Sequence, residues 1–133
     1  MGKGRGRETM DWNIDVISHG WDGAIYRVRT PSLEVVFMGL TAAEDLAEVE
    51  NIDAEVRLPD GSRWSATIFT VAEVERLMAN WARTGEALDG SYFWCSDGLI
   101  VREPGIRNMT EVLVGLLAEG DLTHILNRLD EPP

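Results

Sequence analysis

Short segments in which apolar and polar residues alternate fill the first half of the chain, a pattern typical of strands with one buried face. The pair Asp22-Gly23 and the run Pro59-Asp60-Gly61-Ser62 separate such segments, and both are turn signals of β-hairpins. Pro31 marks a further break. The pattern therefore predicts strands at residues 12–18, 24–29, 33–38, 54–58 and 63–69.

Farther along the chain the apolar spacing changes to three and four residues, which is the spacing of one helical face. Thr70 and Glu73 form a capping box, and Gly85 suits the end of the helix that follows. The sequence predicts helices at 71–84, at 109–119 and over a short final stretch after Asp121. The apolar stripe of the first of these helices is expected to face the sheet.

Residues 41–50 allow two interpretations. Thr41 with Glu44 is a second capping box, and Leu46 and Val49 share a helical face, which together indicate a short helix. An extended acidic loop is the alternative, because half of this stretch is acidic or polar.

Two more predicted strands, at 91–95 and 99–102, flank Ser96-Asp97-Gly98 and indicate another hairpin. Runs of strands followed by helices are typical of the α+β class. We expect a single domain with a mainly antiparallel sheet of about 6–7 strands built from hairpins. One long helix and two or three shorter helices are expected to cover one face of this sheet.

The charge is strongly acidic and unevenly placed. The chain has 133 residues, a length that fits one domain, and 23 acidic against 12 basic residues give a net charge of −11. Residues 1–9 hold three basic residues against one acidic residue, so they carry +2 and are expected to be a disordered basic tail. Residues 10–133, the expected α+β domain, therefore carry −13. A body of this charge repels phosphate, which argues against nucleic-acid and anionic-membrane partners.

No constellation of catalytic or metal-binding residues stands out. Lys3 is the only lysine, so the domain holds none for a P-loop or a Schiff base. His19 and His124 have no evident partners, and Cys95 is interpreted as a small buried residue. We assign no catalytic residue, no metal ligand and no cofactor. No apolar run is long enough to span a bilayer, and a single cysteine fits the reducing cytoplasm.

Two features suggest a binding surface. An uninterrupted acidic run could steer a basic protein, and an exposed aromatic residue, Trp21, could anchor it. The carboxylates of the run are Glu44, Asp45, Glu48, Glu50, Asp53 and Glu55. Acidity that serves only solubility is the simpler interpretation. A third interpretation is an aromatic-lined pocket for a small molecule between sheet and helices, formed by Trp64, Tyr92 and Trp94.

Three segments together carry a resemblance: RLPDGSRWSATIFT at 57–70, EVERLMANWARTGE at 73–86 and YFWCSDGLIV at 92–101. They resemble a group of small acidic uncharacterised bacterial proteins over roughly residues 52–103, and this likeness implies no activity. By size, charge and class alone the chain also resembles immunity proteins, which neutralise partner toxins.

The leading hypothesis is a non-enzymatic cytoplasmic protein-binding module, in its most specific form an immunity-type inhibitor that captures a basic partner by its acidic surface. The alternative is a small-molecule-binding domain or enzyme with the aromatic pocket. A homodimer that pairs through a sheet edge or through strand 33–38 is the third option.

Overall fold

The computed structural model describes residues 11–129, so the expected tail at 1–9 lies outside the described residues. As predicted, the fold is a single α+β domain with a mostly antiparallel seven-stranded sheet. The strands are β1 (Ser18–Asp22), β2 (Ile25–Arg29), β3 (Glu34–Met38), β4 (Asn51–Arg57), β5 (Arg63–Thr70), β6 (Gly98–Val101) and β7 (Asn127–Arg128). The helices are α1 (Val71–Thr84), α2 (Glu86–Gly90), α3 (Ile106–Glu119) and α4 (Leu122–Ile125), and a 3-10 turn spans Leu46–Glu48.

The sheet runs in the order β1-β2-β3-β4-β5-β6, and its first four neighbouring pairs are antiparallel. Strand β6 is parallel to the second half of β5, while β7 pairs antiparallel with the start of β5. Because parallel neighbours need a crossover, the chain between β5 and β6 has to travel back along the sheet. Helix α1, α2 and the segment 91–97 make this crossover.

One sheet face, which we call the core face, carries the hydrophobic core. Period-two alternation places the buried side chains of neighbouring strands in register, as in the pairs Val28–Val35 and Val56–Trp64. Helices α3 and α4 cover this face with Ile106, Met109, Leu113 and Leu122, and Leu126 directly after α4 adds to the core. Of the predicted helices, only α3 and α4 thus cover this face.

The opposite face, which we call the open face, is largely polar. From the end of β1 to β5 it carries a network of alternating charges: Arg27 with Asp22 and Glu34, Arg57 with Glu34 and Glu55, and Arg63 with Glu55. Hydrogen bonds to Asp22 and Glu34 raise the pKa of Arg27 above its ordinary value. Partly exposed pairs of this kind each contribute about 0–1 kcal/mol, so the network balances charge more than it stabilises the fold.

The first predicted strand, 12–18, is wrong, because β1 begins only at Ser18. Residues before it run along α3 instead. The backbone N–H and side-chain amide of Asn13 both donate to the carboxylate of Glu111, at 2.8 and 3.2 Å. These bonds hold the segment on the helix layer, where Trp12 and Val16 pack against the core.

The stretch 41–50 forms the loop alternative rather than a helix. Glu44 does accept a bond from the N–H of Thr41, at 3.1 Å, as a capping box requires. Only the 3-10 turn follows, with Asp45 as its N-cap. The carbonyl of Val49 then accepts from the N–H of Gly105 at 2.9 Å, which fixes the chain in an extended conformation as it enters β4.

Strand β3 lies inside the sheet, paired with β2 on one side and β4 on the other. Pairing of two copies through strand 33–38 is therefore wrong, because its backbone groups are already used. The strands at the two ends of the sheet order are β1 and β6.

Helix α1 has the predicted bounds, with the hydroxyl of Thr70 accepting from the N–H of Glu73 at 3.1 Å and Gly85 as C-cap. Its apolar stripe, however, covers little of the sheet. Val74 is its buried residue, Val71 is exposed, and Trp81 stacks on a residue of the crossover. The expected packing on the sheet is therefore wrong for most of α1.

The end of the described chain differs from prediction in two respects. Helix α3 begins at Ile106, three residues before the predicted start, and the Asn108 side chain in its first turn donates to the carbonyl of Glu103. The final helix stops at Ile125, and Asn127–Arg128 forms β7. In the part of the chain that the structure describes, no helix combines the length and apolarity needed to cross a membrane.

Candidate protein-binding surface

The crossover between α1 and β6 begins with an unusual backbone. Ala87, Leu88 and Asp89 in α2 have φ values of 53°, 51° and 60°. Residues with a Cβ rarely adopt this left-handed region, at a cost of roughly 1–2 kcal/mol each. The turn projects the Leu88 side chain into solvent.

Gly90 closes α2 against helix α1. A Cβ at this position would lie 2.1 Å from the carbonyl oxygen of Met78 and 2.9 Å from the nitrogen of Ala82. Its φ is 77°, so a glycine is required both by conformation and by space. The start of segment 91–97 is therefore fixed against the backbone of α1.

Phe93 attaches the crossover to the open face. Its ring lies edge-on to Phe69 of β5, with centroids 4.9 Å apart, and stacks on Trp81 of α1 at 5.9 Å. Phe69 is buried by this contact although it lies on the open face. The predicted strand 91–95 is wrong, because side-chain packing and not a ladder holds this segment.

Exposed large hydrophobic side chains lie close to the Phe69–Phe93 pair in the chain or in the sheet register. Tyr92 and Trp94 adjoin Phe93 in the chain, Ile100 is the cross-strand partner of Phe69, and Leu88 lies on the preceding turn. Their exposed fractions are 76% for Leu88, 50% for Tyr92, 74% for Trp94 and 49% for Ile100. We call these four residues the apolar patch. Clustered exposed apolar residues are typical of interaction sites.

Two carboxylates lie beside the patch on the open face. The hydroxyl of Thr67 is 3.0 Å from Oδ1 of Asp53 and 3.1 Å from Oδ1 of Asp97. It has one hydrogen, so it can satisfy one carboxylate at a time. Asp97 also accepts from the hydroxyl of Ser65 at 3.1 Å and from the thiol of Cys95 at 3.5 Å. We call Asp53 and Asp97 the acidic pair.

The acidic pair differs from the other carboxylates of the sheet in its partners. Within residues 11–129, Glu34 and Glu55 are neutralised by arginines, whereas Asp53 and Asp97 have hydroxyl and thiol partners. Among the described residues, no cation forms an ion pair with either carboxylate. An arginine guanidinium or lysine ammonium group of a partner would provide such a cation.

The structure divides the acidic run predicted as a binding surface. Glu44, Asp45 and Glu48 belong to the exposed loop before β4, where Glu44 and Asp45 accept bonds from local backbone N–H groups. Glu50 accepts bonds from the Thr70 hydroxyl and from Arg76, and these lower its pKa.

The last two members of the run, Asp53 and Glu55, lie on the open face. Glu55 is paired with Arg57 and Arg63, which leaves Asp53 as the member adjacent to the apolar patch. Trp21 is not near them. It lies on β1 in the register of the core face, where it packs edge-on to Tyr26, with centroids 5.4 Å apart.

The aromatic pocket predicted as the alternative is not formed by its three residues. Trp64 is buried in the core, donates from Nε1 to the Ser62 hydroxyl at 2.9 Å and lies under Arg128. Tyr92 and Trp94 are exposed on the segment that covers the open face. The two groups therefore lie on opposite faces of β5.

A shallow cavity of about 250 Å³ lies elsewhere, where the 3-10 turn meets the start of α3. It is lined by Asp11, Leu46, Ala47, Pro104, Gly105, Arg107 and Asn108. Its volume is below the roughly 300–1,000 Å³ of small-molecule sites.

Groups that often carry chemistry have structural partners. Nδ1 of His19 lies 2.8 Å from the Tyr26 hydroxyl, and Nδ1 of His124 lies 3.2 Å from the carbonyl of Gly120. Cys95 is half-buried and outside any strand, so the expectation of a buried strand residue is wrong. Among residues 11–129 no cluster of three or more histidine, cysteine or acidic side chains could hold a metal ion.

No protein-family model, curated protein or solved structure matches this chain.

Sequence reasoning missed Leu88, Asp97 and Ile100 as surface residues. The signal for Ile100 was present, since a strand, a helix and a further strand in succession favour a parallel crossover over a hairpin. The Asp-Gly pair at Asp97-Gly98 favoured the hairpin instead. A turn does form there, with the N–H of Gly98 donating to the carbonyl of Cys95 at 3.2 Å.

Proposed function

We propose that this chain is a protein-binding module that captures a basic partner through the apolar patch and the acidic pair. The observation that carries the proposal is the exposure of Trp94 and Tyr92 around a firmly packed Phe93. Tryptophan and tyrosine dominate the energetics of protein interfaces, particularly where a rigid base holds them. The patch meets this description.

The charge supports a basic partner. The chain carries −11, and the acidic pair places two of its carboxylates beside the aromatic anchors. Charge of this kind speeds encounter with a cationic protein. An immunity-type inhibitor in the cytoplasm is the specific form of this proposal, supported by size, acidity and the free thiol of Cys95.

The experiment compares the basic proteins that immobilised variants retain from a lysate of the source cells. Trp94→Ala is expected to weaken retention by about 30-fold, which corresponds to the ~2 kcal/mol of an interface hot spot. Trp21→Ala is the matched control, because Trp21 is exposed on the other face, and it should retain the same proteins as wild type. Equal retention by Trp94→Ala and wild type would contradict the proposal.

A second comparison tests the acidic pair. Asp53→Asn should slow association at low salt, and the difference from wild type should shrink as salt screens the charge. Glu119→Gln removes the same charge from the exposed end of α3 and is expected to leave association unchanged. Equal slowing by both variants would show that net charge alone acts.

A further inference from the structure

Strand β6 is the last strand in the sheet order, and within residues 11–129 its edge away from β5 has no strand partner. The N–H of Thr67 donates to the carbonyl of Asp97 at 2.9 Å. This bond determines which residues of β6 direct their backbone groups toward β5. In such a ladder alternate residues direct both backbone groups to the same side. Leu99 therefore faces β5, and the N–H and C=O of Ile100 face outward.

This edge is short, with four residues, but it carries no charged residue and no proline that would oppose pairing. Natural edge strands carry lysine, proline, a bulge or an inward charge that discourages a further strand. The residues of β6 are Gly98, Leu99, Ile100 and Val101, none of which is charged. Strand β1 at the other end of the sheet order, by contrast, contains His19 and Asp22.

The apolar patch and the acidic pair lie next to this edge. Ile100 belongs both to β6 and to the apolar patch. Gly98 of β6 is the register partner of Thr67, and the Thr67 hydroxyl lies within hydrogen-bond distance of both Asp53 and Asp97. A strand added at ~4.8 Å from β6 would direct alternate side chains over the open face. A long basic side chain at such a position would lie nearest Asp97, the member of the acidic pair that directly precedes β6, and the intervening apolar residues would extend the core face beside Leu99.

We infer that the edge of β6 accepts an extended, arginine- or lysine-bearing strand of the partner, which lengthens the sheet by one strand. The inference rests on the proposed function and specifies its binding mode. Charge complementarity selects this occupant over a second copy of the chain. A second copy would bring a further −11 and an edge strand without basic residues.

The probe is an eight-residue peptide of alternating arginine and valine, and binding is followed by the amide spectrum of the full chain. This peptide should bind at least roughly tenfold more tightly than one of alternating glutamate and valine, and high salt should reduce the difference. A peptide of alternating arginine and glycine measures the contribution of charge alone. Hydrogen exchange at the Ile100 amide should slow when the valine-containing basic peptide binds.

Ile100→Pro removes the outward N–H without removing a bond to β5, a position where an edge strand tolerates proline. We expect this variant to lose peptide binding, whereas Ile100→Val, which keeps the N–H, should retain it. Unprotected Ile100 in the wild-type complex would overturn the inference even if Ile100→Pro failed to fold.

The outcomes separate the binding mode from the proposed function. Capture of basic proteins that depends on Trp94 but is unaffected by Ile100→Pro would overturn strand addition and leave the module intact. A homodimer in light scattering that Ile100→Pro dissociates would identify a second copy as the occupant and overturn the inference.

Discussion

Replacement of Phe93 and Trp94 by alanine, one at a time, is expected to give opposite results although the residues are neighbours. Alanine in place of a fully buried phenylalanine costs about 3–5 kcal/mol, and half-burial of Phe93 reduces this to about 2 kcal/mol. The lost contacts with Phe69 and Trp81 add about 1 kcal/mol. Phe93→Ala should therefore lower the free energy of unfolding by about 3 kcal/mol and Tm by roughly 10 °C.

Trp94→Ala should change the free energy of unfolding by less than about 0.5 kcal/mol, because three quarters of the side chain is already exposed. Urea unfolding followed by circular dichroism measures both variants, since the signal of the sheet does not depend on one tryptophan. A Trp94→Ala loss as large as that of Phe93→Ala would refute the assignment of Trp94 to the surface. An unchanged Phe93→Ala would refute the assignment of Phe93 as the attachment of the crossover.

Two further predictions concern the backbone and pH. Gly90→Ala should lower the free energy of unfolding by about 3 kcal/mol and Gly61→Ala by about 1 kcal/mol. Both glycines have positive φ, but of the two only Gly90 would place an added Cβ against other backbone atoms. Equal losses of stability for the two variants in thermal unfolding would contradict this reasoning. Hydrogen bonds from Thr70 and then Arg76 lower the pKa of Glu50, so its stabilisation is present above pH 4.5 and is lost as pH falls through the lowered value. The stability difference between wild type and Glu50→Gln should narrow over that range in urea titrations, and a constant difference would exclude the effect.

The antiparallel part of the sheet could be predicted because its signals are local. Asp22-Gly23 and Pro59-Asp60-Gly61-Ser62 define hairpins within a few residues, and alternation fixes which side chains face the core. Helix α1 was equally predictable, since Thr70 and Gly85 mark both of its ends.

The position of β6 could not be read from local signals. Asp97-Gly98 does form a turn, but what β6 pairs with depends on the packing of residues distant in the chain. Phe93 holds the preceding segment on Phe69 and Trp81, so segment 91–95 has no strand partner. The same nonlocal contacts decide that Trp94 is exposed and Trp64 is buried.

The acidic run shows a comparable limit at the level of charge. Six carboxylates within twelve residues predict one acidic surface, but in the fold they lie in different places and have different partners. Glu50 and Glu55 are neutralised by Arg76, Arg57 and Arg63. Only the fold shows that Asp53 and the unrelated Asp97 form the pair beside the aromatic residues.

The parallel pairing of β6 has a consequence for the order of folding. Thr67 and Asp97, which meet where the ladder begins, are 30 residues apart in the chain, whereas the hairpins close over a few residues. Closing such a loop costs more entropy, so β6 is expected to dock late, after the hairpins and α1 have formed. It is also expected to detach first in local opening, because one neighbouring strand holds it. A newly made chain would then acquire its binding surface as the last step of maturation, and hydrogen exchange would report the β6 amides among the earliest to open.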